Sequence, residues 1–116
     1  MNLKVMMAAA FIGFTGVNLP AYAQKKYTPA QLRTMVARGD YPAQAAPSNQ
    51  VESLDFTSCK NHVEGLLNDV KANYPVQSIV QSSTVWSKKV WTNNGAMVFT
   101  CSKPDQTFVI TTSPYL

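Results

Sequence analysis

The sequence predicts an α+β fold, in which a short N-terminal helix and an extended linker precede a main helix packed on a three-stranded antiparallel β-meander. Residues 56–70 place apolar side chains three and four positions apart, which is the spacing of one helical face. Residues 96–102 and 107–112 alternate apolar and polar side chains, as strands with one buried face do. Cys59 falls on the predicted main helix and Cys101 on a predicted strand, so we expect a disulfide that joins helix to sheet.

Residues 1–23 have the pattern of a secretory signal peptide. The basic Lys4 precedes an apolar run over residues 5–17, and Ala21-Tyr22-Ala23 has the small side chains of a cleavage site. The run is shorter than the roughly 20 residues that span a bilayer, and no cysteine lies near the cleavage site to carry a lipid. We therefore expect cleavage after Ala23, a periplasmic or secreted location, and no membrane anchor.

Residues 24–50 are predicted to form the N-terminal helix and the linker. Thr28 suits the N-cap of this helix and Gln31 completes a capping box with it, while Gly39 suits the C-terminal cap. Residues 40–50 hold two prolines among small and polar residues, which is typical of an extended linker. The remainder, residues 51–116, is expected to form the α+β domain.

The main helix is predicted to begin after Asp55, which is a good N-cap residue, and to end before Pro75. Gly65 lies in the middle of this helix, where glycine costs stability relative to alanine. We interpret Gly65 as a position of close packing between the helix and the sheet.

The first strand of the meander is predicted as one long, bulged strand over residues 77–91. Trp86 and Trp91 lie five positions apart, which places them on opposite faces of a regular strand. A bulge would turn one of the two rings to the other face of the strand, and a turn at residues 87–89 is the alternative. Asn93-Asn94-Gly95 is predicted to form the following hairpin turn, because asparagine and glycine tolerate positive φ.

The formal net charge is +4, and no run of basic residues is longer than two. Nucleic-acid-binding domains concentrate their lysine and arginine on one face or stripe, so we do not expect this chain to bind nucleic acid. The charge favours a mild attraction to acidic partners or to anionic polymers of the cell envelope.

The sequence contains no recognisable catalytic or metal-binding motif. His62 follows Cys59 by three positions, so the two are neighbours on a helix and suggest a thiolate–imidazole pair, but a disulfide would remove the thiolate. His62, Glu64 and Asp69 lack the spacing of metal ligands on one helical face. We therefore expect no enzyme activity, no cofactor and no bound metal.

The candidate binding surface combines aromatic and basic side chains near the predicted hairpin: Trp86, Lys88, Lys89 and Trp91. Exposed tryptophan is a common anchor in protein interfaces, and its ring also suits stacking on the sugars of cell-wall glycan. The alternative is that one or both tryptophans fill the core of this small domain.

Two helices followed by a three-stranded antiparallel sheet resemble, in architecture, the small lipoprotein of the bacterial outer-membrane assembly machine and the repeat unit of secreted β-lactamase-inhibitor proteins. The chain departs from the first because it has no cysteine for lipidation. Likeness of fold does not carry function, and the resemblance is only compatible with binding to another protein. The functional expectation depends on the small size, the disulfide, the lack of a catalytic motif and the surface of tryptophan and lysine. We expect a small exported protein-binding module, such as an inhibitor, an immunity protein or an envelope-complex accessory protein, whose partner is another envelope or secreted protein. The alternative function is binding of cell-wall glycan or an anionic envelope polymer.

Overall fold

The computed structural model describes residues 25–116, so the predicted signal peptide lies outside the described residues. The described part contains two helices and five strands: α1 (Pro29–Arg38), β1 (Ser48–Ser53), α2 (Phe56–Val70), β2 (Val76–Gln81), β3 (Val85–Trp91), β4 (Gly95–Ser102) and β5 (Thr107–Pro114). Within residues 25–116, neither helix is long and apolar enough to cross a membrane.

The five strands form one antiparallel sheet in the order β1-β5-β4-β3-β2. The prediction of a three-stranded meander is therefore wrong: β3, β4 and β5 form a meander, but each end of it carries one further strand. β2 extends the sheet beside β3, and β1 extends it beside β5, although Ser53 and its partner Thr107 are 54 positions apart in the sequence (107 − 53). The fold is α+β with a five-stranded sheet.

β1 begins at Ser48, inside the segment that the sequence predicts as a linker. Its sequence, SNQVES, contains one β-branched apolar residue, Val51, and therefore carries little strand propensity of its own. The strand forms because β5 offers a complete antiparallel register, from Ser48 opposite Thr112 to Ser53 opposite Thr107. Pairing with a distant partner thus overrides a weak local preference.

The predicted long strand over residues 77–91 is instead a hairpin of β2 and β3. Between them, the Ser82 hydroxyl accepts hydrogen bonds from the backbone N–H groups of Thr84 and Val85, and this side chain stabilises the turn. β3 is regular, and the register shift lies in β2 between Ser78 and Val80. Trp86 and Trp91 consequently occupy opposite faces of the sheet.

α2 covers one face of the sheet and crosses β4 and β5. Its buried side chains, Cys59, Val63 and Leu67, meet the inward side chains of the sheet, which are Trp86, Val90, Met97, Phe99, Cys101, Phe108 and Ile110. The predicted disulfide between Cys59 and Cys101 is confirmed, and it joins α2 to β4 with both cysteines fully buried.

α1 covers one end of the opposite face. The helix has the predicted capping box between Thr28 and Gln31, and Gly39 caps its C-terminus at a φ of 77°. Leu32 of α1 is fully buried in a second apolar cluster, which also contains Trp91, Ala96 and Tyr115. We call residues 25–47 the N-terminal arm, because they lie over this cluster and lead into β1.

Several backbone hydrogen bonds fasten the N-terminal arm to the body of the domain. Tyr27 N–H donates to the Asn93 carbonyl at 3.0 Å, and Ala45 N–H donates to the Pro114 carbonyl at 2.7 Å. The Arg33 guanidinium also donates to the Asn73 carbonyl, just after α2, at 2.5 Å. The N-terminal arm is therefore hydrogen-bonded to the turn between β3 and β4, to the end of β5 and to the segment after α2.

The turn between β3 and β4 needs glycine for close approach rather than for positive φ. Gly95 does not have a positive φ, contrary to the prediction for this turn. A Cβ at Gly95 would lie 2.6 Å from the carbonyl oxygen of Ser113 on β5, which is closer than such atoms approach. Glycine thus permits the pairing of Gly95 with Pro114.

Gly65 does not mark close packing, because a Cβ at this position would meet no atom within 4 Å. The residue lies on the exposed side of α2 with ordinary helical φ.

Glycine in an exposed helix interior is less favourable than alanine by about 0.5–1 kcal/mol. We therefore expect Gly65→Ala to raise the free energy of unfolding by that amount in urea titrations. A loss of stability would show that the backbone at this position is constrained by something other than helix propensity.

Asp55 caps the N-terminus of α2 by accepting a hydrogen bond from the Ser58 N–H at 3.0 Å. The backbone and side chain of Ser58 hold the pKa of this carboxyl below its ordinary value. Because the folded pKa is depressed, the carboxylate stabilises the fold above the unfolded pKa of about 3.9, and this contribution is lost as pH falls through the folded pKa.

We therefore expect Asp55→Ala to lower stability at neutral pH and to have little effect at pH 2. Asp55→Asn is the matched control, since asparagine also caps helices but does not titrate. Urea titrations between pH 2 and pH 7 test this. An Asp55→Ala penalty that stays constant across that range would contradict a role for the ionised cap.

Candidate functional site

The predicted binding residues all lie on β3, but the structure divides them between two faces of the sheet. Trp86 and Lys88 lie on the face that α2 covers, and Lys89 and Trp91 lie on the face that α1 covers. A single surface of four side chains is therefore not formed. Each lysine instead lies over the tryptophan of its own face.

On the α2 face, Trp86 is a core residue with 5% of its surface exposed. The ammonium of Lys88 lies 5.6 Å from the centroid of the Trp86 ring, within cation–π range. The lysine thus covers the outer edge of the core beside β2.

On the opposite face, Trp91 is 2% exposed and is held by three neighbours. Its Nε1–H donates to the side-chain oxygen of Gln77 at 2.8 Å, and the Tyr41 ring stacks on it with centroids 5.3 Å apart. The Lys89 ammonium lies 4.0 Å from the Trp91 centroid, and burial lowers the pKa of that lysine. Gln77 also donates to the Tyr41 hydroxyl at 3.2 Å, which closes the group.

Cys59 and His62 do not form a nucleophile pair in this structure. The sulfur of Cys59 is bonded to Cys101, so no thiolate is present at this position. The His62 ring lies edge-on to the Phe108 ring, with centroids 5.7 Å apart. Within the described residues, no group of three or more histidine, cysteine, aspartate or glutamate side chains is placed to hold a metal ion.

The open edge of the sheet at β2 is the feature that the sequence analysis missed. Among residues 25–116, β2 pairs with β3 on one side and with no strand on the other. In an antiparallel pair of strands, every second residue directs its backbone N–H and C=O groups toward the partner strand. The Trp91 N–H donates to the Pro75 carbonyl, so Pro75 and, two residues later, Gln77 face β3. Val76 and Ser78 therefore direct their backbone N–H and C=O groups away from β3.

Exposed apolar side chains accompany this open backbone. Ile79 is 52% exposed and Val80 is 39% exposed, and the register shift after Ser78 gives these adjacent residues outward positions. Tyr41 is 50% exposed and lies against Gln77 of the same strand. We call this group the β2 edge surface; it consists of Tyr41, Val76, Gln77, Ser78, Ile79 and Val80.

β3, the strand next to β2, carries two lysines. Residues 70–104, which include β2, β3 and β4, contain four lysines and no aspartate or glutamate. Lys88 pairs with Ser78 and Lys89 pairs with Gln77, so the two lysine side chains leave β3 on opposite faces of the sheet, next to β2. The β2 edge surface therefore combines free main-chain groups with apolar side chains, and two lysines lie next to it on β3.

The sequence contained a signal for this edge. Residues 76–85 carry no charge, and Gln81-Ser82-Ser83-Thr84 is a polar run of the kind that breaks a strand into a hairpin. The tryptophans dominated the prediction because exposed aromatic rings are typical of interfaces, whereas the structure buries both rings and exposes the neighbouring strand.

Comparison with known proteins adds no assignment. No protein-family model matches the sequence. No curated protein matches it either.

Proposed function

We propose that this chain is a small exported protein-binding module, and that its partner docks on the β2 edge surface. Inhibitors, immunity proteins and envelope-complex accessory proteins are modules of this kind. One observation carries the proposal. Of the five large apolar side chains that are most exposed within residues 25–116, three lie on or against β2: Tyr41, Ile79 and Val80.

An edge strand with uncharged, apolar side chains is a liability for a protein that acts alone. Unpaired backbone groups on such a strand invite pairing with other chains, and proteins usually protect them with charges, prolines or a covering segment. β2 has neither charge nor proline between Val76 and Gln81. In the part of the chain that the structure describes, the register shift between Ser78 and Val80 is the one protective device on β2, and Ile79 and Val80 are exposed there. This combination favours a surface that is covered by a partner.

The scaffold behind the edge is cross-linked, which suits binding. The Cys59–Cys101 disulfide fixes α2 to β4, and the Tyr41–Gln77–Trp91 group fixes the N-terminal arm to β2 and β3. Because the Tyr41 and Gln77 side chains are held before binding, ordering these two costs little conformational entropy when a partner docks.

Export is part of the proposal. The Cys59–Cys101 disulfide fits an extracellular or periplasmic location, where such bonds form and persist. The signal-peptide pattern of residues 1–23 supports secretion with cleavage after Ala23.

The proposal is tested by affinity capture from chemically crosslinked cell envelope. The full-length coding sequence is expressed with a C-terminal tag, and captured proteins are identified by mass spectrometry. Ile79→Lys places a charge on the β2 edge surface, and Val51→Lys is the matched control because Val51 is an exposed valine on the opposite edge strand, β1. We expect one stoichiometric protein partner with the wild type and with Val51→Lys, and its loss with Ile79→Lys.

Two outcomes would overturn the proposal. A partner that Ile79→Lys retains at the wild-type level would place docking elsewhere on the molecule. The absence of a protein partner, together with sedimentation on purified cell-wall sacculi, would instead favour the glycan-binding alternative.

A further inference from the structure

The chemistry of the partner can be specified further, and this inference rests on the proposed function. We propose that the β2 edge surface accepts an extended, acidic segment of the partner protein, which adds to the sheet as a sixth strand next to β2. The open backbone of β2 defines the binding mode, and the charge distribution defines the side chains that the segment carries.

The backbone of β2 is arranged for strand addition. Val76 and Ser78 direct their N–H and C=O groups outward, so together they offer two donors and two acceptors on one edge. An extended segment is the partner structure that satisfies all four, because its own donors and acceptors alternate with the same period. Ile79 and Val80 then provide apolar contacts beyond the hydrogen-bonded positions.

The lysines of β3 favour acidic side chains on both faces of the added strand. Neighbouring strands lie about 4.8 Å apart, so the added strand would run roughly 10 Å from β3. Lys88 is paired with Ser78 on one face and Lys89 is paired with Gln77 on the other, so each flexible lysine can turn from its tryptophan ring toward a carboxylate on the added strand. Successive side chains of a strand alternate between faces, so acidic residues on either face of the segment would meet a lysine.

A second copy of this chain fits the edge less well. Pairing of β2 with β2 of another copy would bring Lys88 and Lys89 of both copies to the same region, and residues 70–104 contain no carboxylate to offset them. Like charges at such a junction disfavour association. The charge pattern therefore selects an acidic segment over self-association.

Strand peptides test this inference directly. The probes are an octapeptide of alternating valine and glutamate and one of alternating valine and lysine, each titrated to millimolar concentration into the ¹⁵N-labelled oxidised protein. We expect the acidic peptide to shift the amide resonances of β2 and to slow hydrogen exchange at Val76 and Ser78 at least tenfold. The basic peptide is expected to do neither. Absence of these changes with the acidic peptide, or equal binding of both peptides, would overturn the inference.

Two variants localise the binding. Ser78→Pro removes one outward N–H without removing a ladder bond to β3, and edge strands tolerate proline at such positions. Val51→Pro is the matched control on β1. The Leu54 N–H donates to the Gln106 carbonyl, so by the same alternation the Val51 N–H points away from β5 and takes no part in the ladder. We expect Ser78→Pro to weaken binding of the acidic peptide at least tenfold and Val51→Pro to leave it unchanged. The reverse order would overturn the inference.

Charge is tested separately. Replacement of both lysines, by Lys88→Gln and Lys89→Gln, should abolish the preference for the acidic over the basic peptide, and a preference that persists would contradict the charge argument. Failure of this inference is distinguishable from failure of the proposed function. If capture of a partner depends on Ile79 but not on the Ser78 N–H, the protein-binding function is retained and strand addition is excluded.

Discussion

Replacing Cys59 and Cys101 together by alanine will lower the free energy of unfolding by about 4 kcal/mol. The bond closes a loop of 42 sequence positions, and in the chain-entropy model a loop of that length restricts the unfolded chain by this amount. The cost is large for a small domain, whose total stability is commonly about 5–15 kcal/mol. Urea titration of the wild type and the double variant, both monitored by tryptophan fluorescence, measures the difference.

Reduction of the wild type provides the matched control. The reduced protein should unfold at nearly the same urea concentration as the double variant, and the reductant should not affect the double variant. Both sulfur atoms lie in the core, so the alanine variant also loses some packing and should be slightly the less stable of the two. A change below about 1 kcal/mol would contradict the view that this bond holds α2 on the sheet.

Trp91→Ala will destabilise the protein by about 3–5 kcal/mol, which is the usual cost of removing a buried tryptophan side chain. Trp91 is almost fully buried under the N-terminal arm and supports the stacked Tyr41 ring. Its removal would also leave the Gln77 side-chain oxygen without its donor. We expect the largest local effect in α1, because Leu32 packs in the same cluster.

Urea titration gives the global effect of Trp91→Ala, and hydrogen exchange of the amides in α1 gives the local one. Trp91→Phe retains an aromatic ring and should recover part of the loss. Tyr41→Ala is the control for the outer ring of the stack, and it should cost less because Tyr41 is half-exposed. Equal losses for Tyr41→Ala and Trp91→Ala would contradict the assignment of Trp91 as the anchor of the arm.

The parts of the fold that the sequence predicted depend on local interactions. The capping box of α1, the Asp55 cap of α2 and the alternation in β4 and β5 are each encoded within a few residues. The disulfide followed from placing Cys59 and Cys101 on the inward faces of their elements. These features need no knowledge of distant partners, since caps and periodicity act within a turn or a strand.

The parts that the sequence did not predict depend on long-range pairing. β1 has weak strand propensity and forms because β5 lies beside it, and only the register with Thr107–Thr112 reveals it. Likewise, the bulge expected between Trp86 and Trp91 is absent, and the burial of the two rings on opposite faces follows from the docking of α2 on one face and the N-terminal arm on the other. The open edge at β2 became visible once the order of the strands was known.

Site-specific photo-crosslinking in intact cells shows whether a protein partner docks on β2. A photoreactive amino acid is placed at Ile79 on β2 or, in a second strain, at Val51 on β1, since both positions are exposed and lie on opposite edges of the sheet. Docking on β2 predicts one discrete crosslinked protein species from position 79 and none from position 51. The same species from both positions, or a species from position 51 alone, would contradict it.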